Sequence, residues 1–209
     1  MSSSMPYYII YAPIGGYGNH VRWLLLLDER FSITIKSKDN LAGMNGQVLT
    51  TATEKAEFIK QHVYSAERTR HTWLPLEWEY RNMLDDYMKF THFAEDLFDE
   101  CKLLAITCDP KLAYRSYIKL NPGCNGLSKE GFVKRNGKQN KMCEFADQVL
   151  PLVKAIDSTD LFNNVLDKEL YSNMIEYFNI ENHYAQAQEI HSAWYDCHIR
   201  AEADYLKSA

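Results

Sequence analysis

Apolar residues along this chain fall into short blocks whose spacing alternates between strand-like and helix-like periods. Residues 7–11, YYIIY, form a continuous apolar run of the length of one buried strand. From residue 21 the positions Val21, Leu24, Leu25 and Asp28 recur at helical spacing with only the last polar, predicting a helix through residue 27. A short alternating strand follows at 32–35, and residues 38–53, rich in Gly, Asn and Thr, read as an irregular connection. The spacing predicts helices over 53–61 and 77–98, the latter with Tyr80, Leu84, Tyr87, Met88 and Phe98 among its apolar positions. Residues 102–107, KLLAIT, have the composition of a buried parallel strand. Pro110 then opens a helix that fills 112–120 and closes at Asn121-Pro122-Gly123. Residues 150–156 are a further strand, and two helices, about 167–178 and 181–206, complete the pattern. Strands alternating with helices predict an α/β fold with a central, mostly parallel sheet flanked by helices.

Composition narrows this picture little. The 209 residues are 46% hydrophobic and 24% charged, an ordinary globular balance, and are expected to form a single domain over 1–209. A net charge of −5 argues against general nucleic-acid affinity. Apolar runs such as residues 23–27 are far too short for a membrane span. The start MSSSMP lacks the basic and apolar stretches of a secretion signal, so a cytoplasmic location is expected, with no nucleic-acid or membrane partner. Cys101, Cys108, Cys124, Cys143 and Cys197 are odd in number and include no CxxC pair, which favours reduced thiols and indicates neither zinc nor a disulfide framework. Residues 123–141 carry four glycines and five lysines or arginines with almost no apolar periodicity, and read as a mobile basic surface loop.

The densest candidate chemistry lies at Gly15, Gly16, Tyr17, Gly18, Asn19 and His20, between the first strand and the first helix. A strand feeding a glycine turn that opens a helix aims free N–H groups, at the positive end of the helix dipole, toward one point where an anion fits. Asn19 is the candidate N-cap. The turn lacks the Lys-Ser/Thr of a Walker A loop and the third glycine of a dinucleotide fingerprint. Arg22, one turn into the helix, either folds back to the anion or lies on the solvated face.

The segment KLLAITCDPKLAYRSYIKL resembles the strand and helix that hold the 3′-phosphate in sulfotransferases: an apolar strand, Arg-Asp-Pro, and a serine eight residues after the arginine. Asp109 and Pro110 fill the Asp-Pro, Ser116 falls at the serine position, and Cys108 replaces the arginine. Gly18-Asn19-His20 is similar to the family's Gly-Thr-Thr around the 5′-phosphosulfate, with Gly16 near the position of the usual lysine. Arg70-His71-Thr72 with Leu74-Pro75 resembles the segment of the catalytic histidine, and DSTDLF at 157–162 a late turn of the family. The likeness covers roughly residues 7–180 discontinuously and is closest in style to divergent sulfotransferase-like proteins of marine phages, hence a viral origin. It implies a three-layer P-loop fold and 3′-phosphoadenosine-5′-phosphosulfate (PAPS) as cofactor, with transfer of a sulfuryl group to a hydroxyl or amine on a small molecule or glycan. A homodimer is left open. The rival readings are a catalytically lapsed nucleotide or anion binder and a structural or interaction protein, virion-associated, on the same scaffold.

Sulfuryl transfer needs a general base for the acceptor and cations on the leaving phosphate. His71 is the first candidate base and His92 the second, and Arg22 is a candidate replacement for the missing cation. Trp73 and Trp78 either line an acceptor pocket or pack in the core. His191, Trp194, Tyr195, His198 and Glu202 share part of one face of the last helix, which reads as a packed or partner-binding face rather than a metal site.

Overall fold

In the computed structural model, which describes residues 7–12, 17–35, 46–64, 76–77, 83–85, 101–120, 128–149 and 153–208, helices and strands alternate along the chain. The first elements are β1 (Tyr7–Tyr11), α1 (Gly18–Leu25), β2 (Ile33–Ile35), β3 (Val48–Leu49), α2 (Ala52–Phe58), β4 (Leu76–Glu77) and β5 (Met83–Asp85). They are followed by β6 (Cys101–Thr107), α3 (Pro110–Leu120), α4 (Lys129–Val149), β7 (Val153–Asp157), α5 (Lys168–Phe178), α6 (Tyr184–Trp194) and α7 (Arg200–Ser208). The described residues divide into two compact units, one drawn from 1–19 and 82–161, the other from 20–81 and 162–209.

The first unit is built on a parallel sheet of strand order β5-β1-β6-β7. Ile9 faces Leu84 on one side and Leu103 on the other, and Ile106 is in register with Ile156. Leu104, Ala105 and Ile106 of β6 are all fully buried, as an interior strand covered on both faces requires. Helix α3 buries Leu112 and Ala113, and α4 buries Phe132 and Cys143. The rings of Tyr114 and Tyr117 pack on Phe132 at 5.3 and 5.2 Å. Asp147 of α4 accepts a hydrogen bond from the backbone N–H of Ala155, satisfying a donor on β7.

Two sequence expectations fail here. Residues 77–98 are not one helix, because Leu76–Glu77 and Met83–Asp85 are strands. A two- or three-residue apolar run fits either period, and pairing with β1 decides it for β5. Residues 123–141 are not a loop throughout, because a helix runs from Lys129 to Val149. Lys, Arg, Glu, Gln and Met are good helix formers, and the buried stripe is narrow, so little periodicity marks it. Ser128 accepts from the N–H of Gly131 at its start.

In the second unit, Val21, Leu24, Leu25, Leu26 and Leu27 are completely buried, so the α1 segment is core rather than a half-solvated helix. Strands β3, β2 and β4 form a small antiparallel sheet, which the alternating pattern did not announce. Thr51 and Glu54 make a reciprocal capping box on α2. Asp28, 1% exposed, accepts from Arg30 and from the backbone N–H of Glu181, which ties the end of α1 to the α5–α6 connection. The buried Lys55 donates to the Asp28 carbonyl at 2.7 Å, and burial, partly offset by nearby carboxylates, brings its pKa down to about 8. Helix α5 is capped by Asp167 and ends at Asn179 in the left-handed region, φ 53°. Helix α6 continues through a wider helical stretch, Tyr195–Ile199, into α7, so the helix expected over 181–206 is an unbroken helical run that starts at Tyr184.

Candidate functional site

In the first unit the chain leaves β1 toward β5 on one side and returns to β6 on the other, so the direction of the winding reverses at β1. Ligands of open α/β sheets bind beyond the C-terminal ends of the strands at such a reversal. β1 and β6 are hydrogen-bonded neighbours there; of the segments singled out by the sequence, Tyr17–Gly18 follows β1 in the chain and Cys108–Pro110 leaves the end of β6.

Gly18 opens α1, and its place is dictated by packing. A Cβ on it would lie 2.6 Å from the Cβ of Ala12 and 3.8 Å from Cδ1 of Ile106. Gly18 therefore performs the close helix–strand approach that the sequence reading assigned to a missing glycine. Tyr17 has φ 66°, the left-handed region that bulky side chains rarely adopt. Tyr17 therefore stands at the entry to α1 in a conformation that is not helical, and the first N–H groups of the helix have no partner one turn back within α1 itself. Asn19 is not the cap; it stands exposed within the first turn. Arg22 is half-buried. Gly15, Gly16, His71, His92, Trp73 and Trp78 lie outside the described residues.

The Cys108–Pro110 turn is closed by the protein itself. Asn140 of α4 clamps the Cys108 main chain, its Oδ1 accepting from the N–H at 3.3 Å and its Nδ2 donating to the carbonyl at 2.7 Å. The Cys108 thiol is 1% exposed, and burial pushes its pKa up to about 12, so it is neutral at pH 7. Asp109 accepts from the N–H groups of Lys111 and Leu112 at 2.8 and 3.0 Å. Its carboxylate caps α3 and occupies the donors an anion would need, which makes Asp109 a cap rather than a phosphate ligand. Ser116 is 7% exposed and shares the buried stripe of α3 with Leu112 and Ala113, about 9 Å along the helix from Pro110.

His20 does not reach an anion. It is 2% exposed, and both ring nitrogens are engaged inside the second unit. His191 Nε2 lies 2.8 Å from the carbonyl of Asn163, His20 Nε2 3.0 Å from His191 Nδ1, and His20 Nδ1 3.1 Å from the Tyr64 hydroxyl. A carbonyl only accepts, so His191 carries its proton on Nε2 and accepts at Nδ1 from His20 Nε2–H. His20 Nδ1 then accepts from Tyr64. The His20 ring stacks on Trp194 with centroids 3.7 Å apart and planes 5° apart. This buried chain is what sequence reading missed: it marked His20 and the His191 face separately, and nothing in the pattern joins them. Among the described residues no group of three or more His, Cys, Asp or Glu suits a metal ion, and no helix is long and apolar enough to cross a membrane.

The candidate site is therefore the helix start at Tyr17–Gly18, on the strand next to a turn whose thiol is buried and neutral and whose exposed Asp109 carboxylate caps α3. Comparisons with family models, with curated proteins and with solved structures find no match to this chain.

Proposed function

We propose that the chain is a sulfotransferase-like P-loop protein that holds the phosphosulfate end of PAPS at the mouth of α1 and passes the sulfuryl group to a hydroxyl or amine acceptor. The observation that supports this reading is the parallel pairing of β1 with β6, the two strands that precede the segments carrying the resemblance. The anion rests on the first N–H groups of α1, where the dipole favours negative charge. His71 is the base this reading requires, and His92 is the second candidate for that role.

One observation favours a second reading, binding without turnover. Where the family places an arginine, this chain has a neutral, buried thiol, and loss of one charge-assisted donor commonly costs about two orders of magnitude in rate. Calorimetry with adenosine 3′,5′-bisphosphate and adenosine 5′-monophosphate, paired with transfer of labelled sulfate from PAPS, separates the two. Both readings expect binding that Asn19→Glu weakens at least tenfold, since Asn19 is exposed beside the mouth and the new charge repels the anion. Label transfer supports the enzyme. Binding without transfer supports the lapsed form, and absence of binding ends both.

A further inference from the structure

We propose that the outward face of α4 binds single-stranded nucleic acid, with Lys134, Lys138 and Lys141 on successive phosphates and Phe145 stacked on a base. These residues follow one another at i, i+4, i+7 and i+11, which sets them within an arc of roughly 60° along about 16 Å of helix. All four are exposed, Phe145 to 64%. The opposite side of α4 carries the buried Phe132, Asn136 and Cys143. The helix is thus fixed by its packing and presents the lysines outward.

No ion pair among the described residues engages Lys134, Lys138 or Lys141, although the whole chain is acidic at net −5. Arg135 extends the positive face, and Glu130 and Glu144 border it. Within a Debye length of about 10 Å, a partner on this face meets mainly the local positive charge. A face kept charged only for solvation accounts for the lysines but not for an aromatic ring in line with them. Single-strand binders combine the same two parts, a cationic track for the backbone and an aromatic platform for an unstacked base. A duplex offers no free base to Phe145. An anionic membrane calls for a broad apolar face, whereas Phe145 is the one large apolar side chain exposed along this line.

The test uses the full chain and a fluorescent oligo-dT of about twelve nucleotides, with oligo-rU of equal length as the RNA arm, read by anisotropy from about 50 to about 200 mM salt. Three phosphate contacts predict a slope of log K against log salt near −2. Joint substitution Lys134→Gln, Lys138→Gln and Lys141→Gln should abolish binding at about 150 mM salt. Phe145→Ala should weaken binding about tenfold and leave the slope unchanged, the mark of stacking rather than charge. Circular dichroism and a thermal melt check that each variant keeps the wild-type fold. No binding at the lowest salt, wild-type affinity in Phe145→Ala, or equal or tighter binding to duplex DNA or to phosphatidylserine vesicles would each overturn the proposal.

Discussion

His20 and His191, 171 positions apart in the chain, share a 3.0 Å Nε2–Nδ1 hydrogen bond whose direction is set from outside the pair. The Asn163 carbonyl fixes the tautomer of His191, and that tautomer fixes His20. Every member is satisfied while both rings are neutral. A further proton would put an N–H opposite the Tyr64 oxygen and oblige that hydroxyl to turn and accept. The chain joins the start of α1, the segment after α2, and α6 by hydrogen bonds that depend on protonation state.

That arrangement predicts an acid-sensitive fold. Burial, and then the nearby His191 and His198, hold the His20 pKa well below 6.5; burial also lowers His191, against the opposing pull of the Asn163 carbonyl. The unfolded chain takes up these protons near pH 6.5, whereas the folded one refuses them until lower pH. Stability from the pair is therefore fully present above about pH 6.5 and is lost as pH falls below it. His20→Phe keeps a ring over Trp194 but removes the donor to His191 Nδ1 and the hydrogen bond between the ring and the Tyr64 hydroxyl. It should cost about 1–3 kcal/mol near pH 7.5. Urea unfolding should also show a smaller loss for the variant than for wild type between about pH 7.5 and about pH 5. Equal losses in the two proteins would remove the pair as the acid sensor.

Close packing at the head of α1 gives a second prediction. A methyl group on Gly18 meets the Ala12 Cβ at 2.6 Å, a separation that requires backbone movement. Gly18→Ala should destabilise the protein by about 1–3 kcal/mol, as over-packing does. Adding Ala12→Gly removes the obstructing methyl, so the double variant should recover most of the loss in denaturant unfolding. The coupling is the readout. Simple additivity would show that the strain lies in the Gly18 backbone and not against Ala12.

Signals that rest on local composition were legible in the sequence. The runs 7–11 and 102–107 are strands because continuous apolar residues of that length suit a sheet covered on both faces, and Pro110 marks its helix start. What depended on partners far along the chain was not. Met83–Asp85 is a strand through pairing with β1, Asp109 becomes a cap through the helix it starts, and His20 finds His191 only through the fold. Helix α4 was hidden for a different reason. Its interior stripe is narrow and includes polar Asn136, so the apolar signal that normally declares a helix is weak.

Chemical labelling tests the buried thiol of the turn after β6. Burial pushes Cys108 and Cys143 up to about 12, while Cys197 is half-buried and raised less, its thiol donating to the Tyr64 carbonyl at 2.8 Å. The thiolate is the reacting species, so at neutral pH both deep cysteines combine a low thiolate fraction with poor access. Among these three described cysteines, iodoacetamide should modify Cys197 first in the native protein, and Cys108 and Cys143 only once denaturant opens the first unit, as read by peptide mass spectrometry. Cys108→Ser should leave the affinity for adenosine 3′,5′-bisphosphate within about twofold of wild type, because a neutral buried group gives a phosphate no charge to bind. Rapid native labelling of Cys108 would mean that its turn opens to solvent.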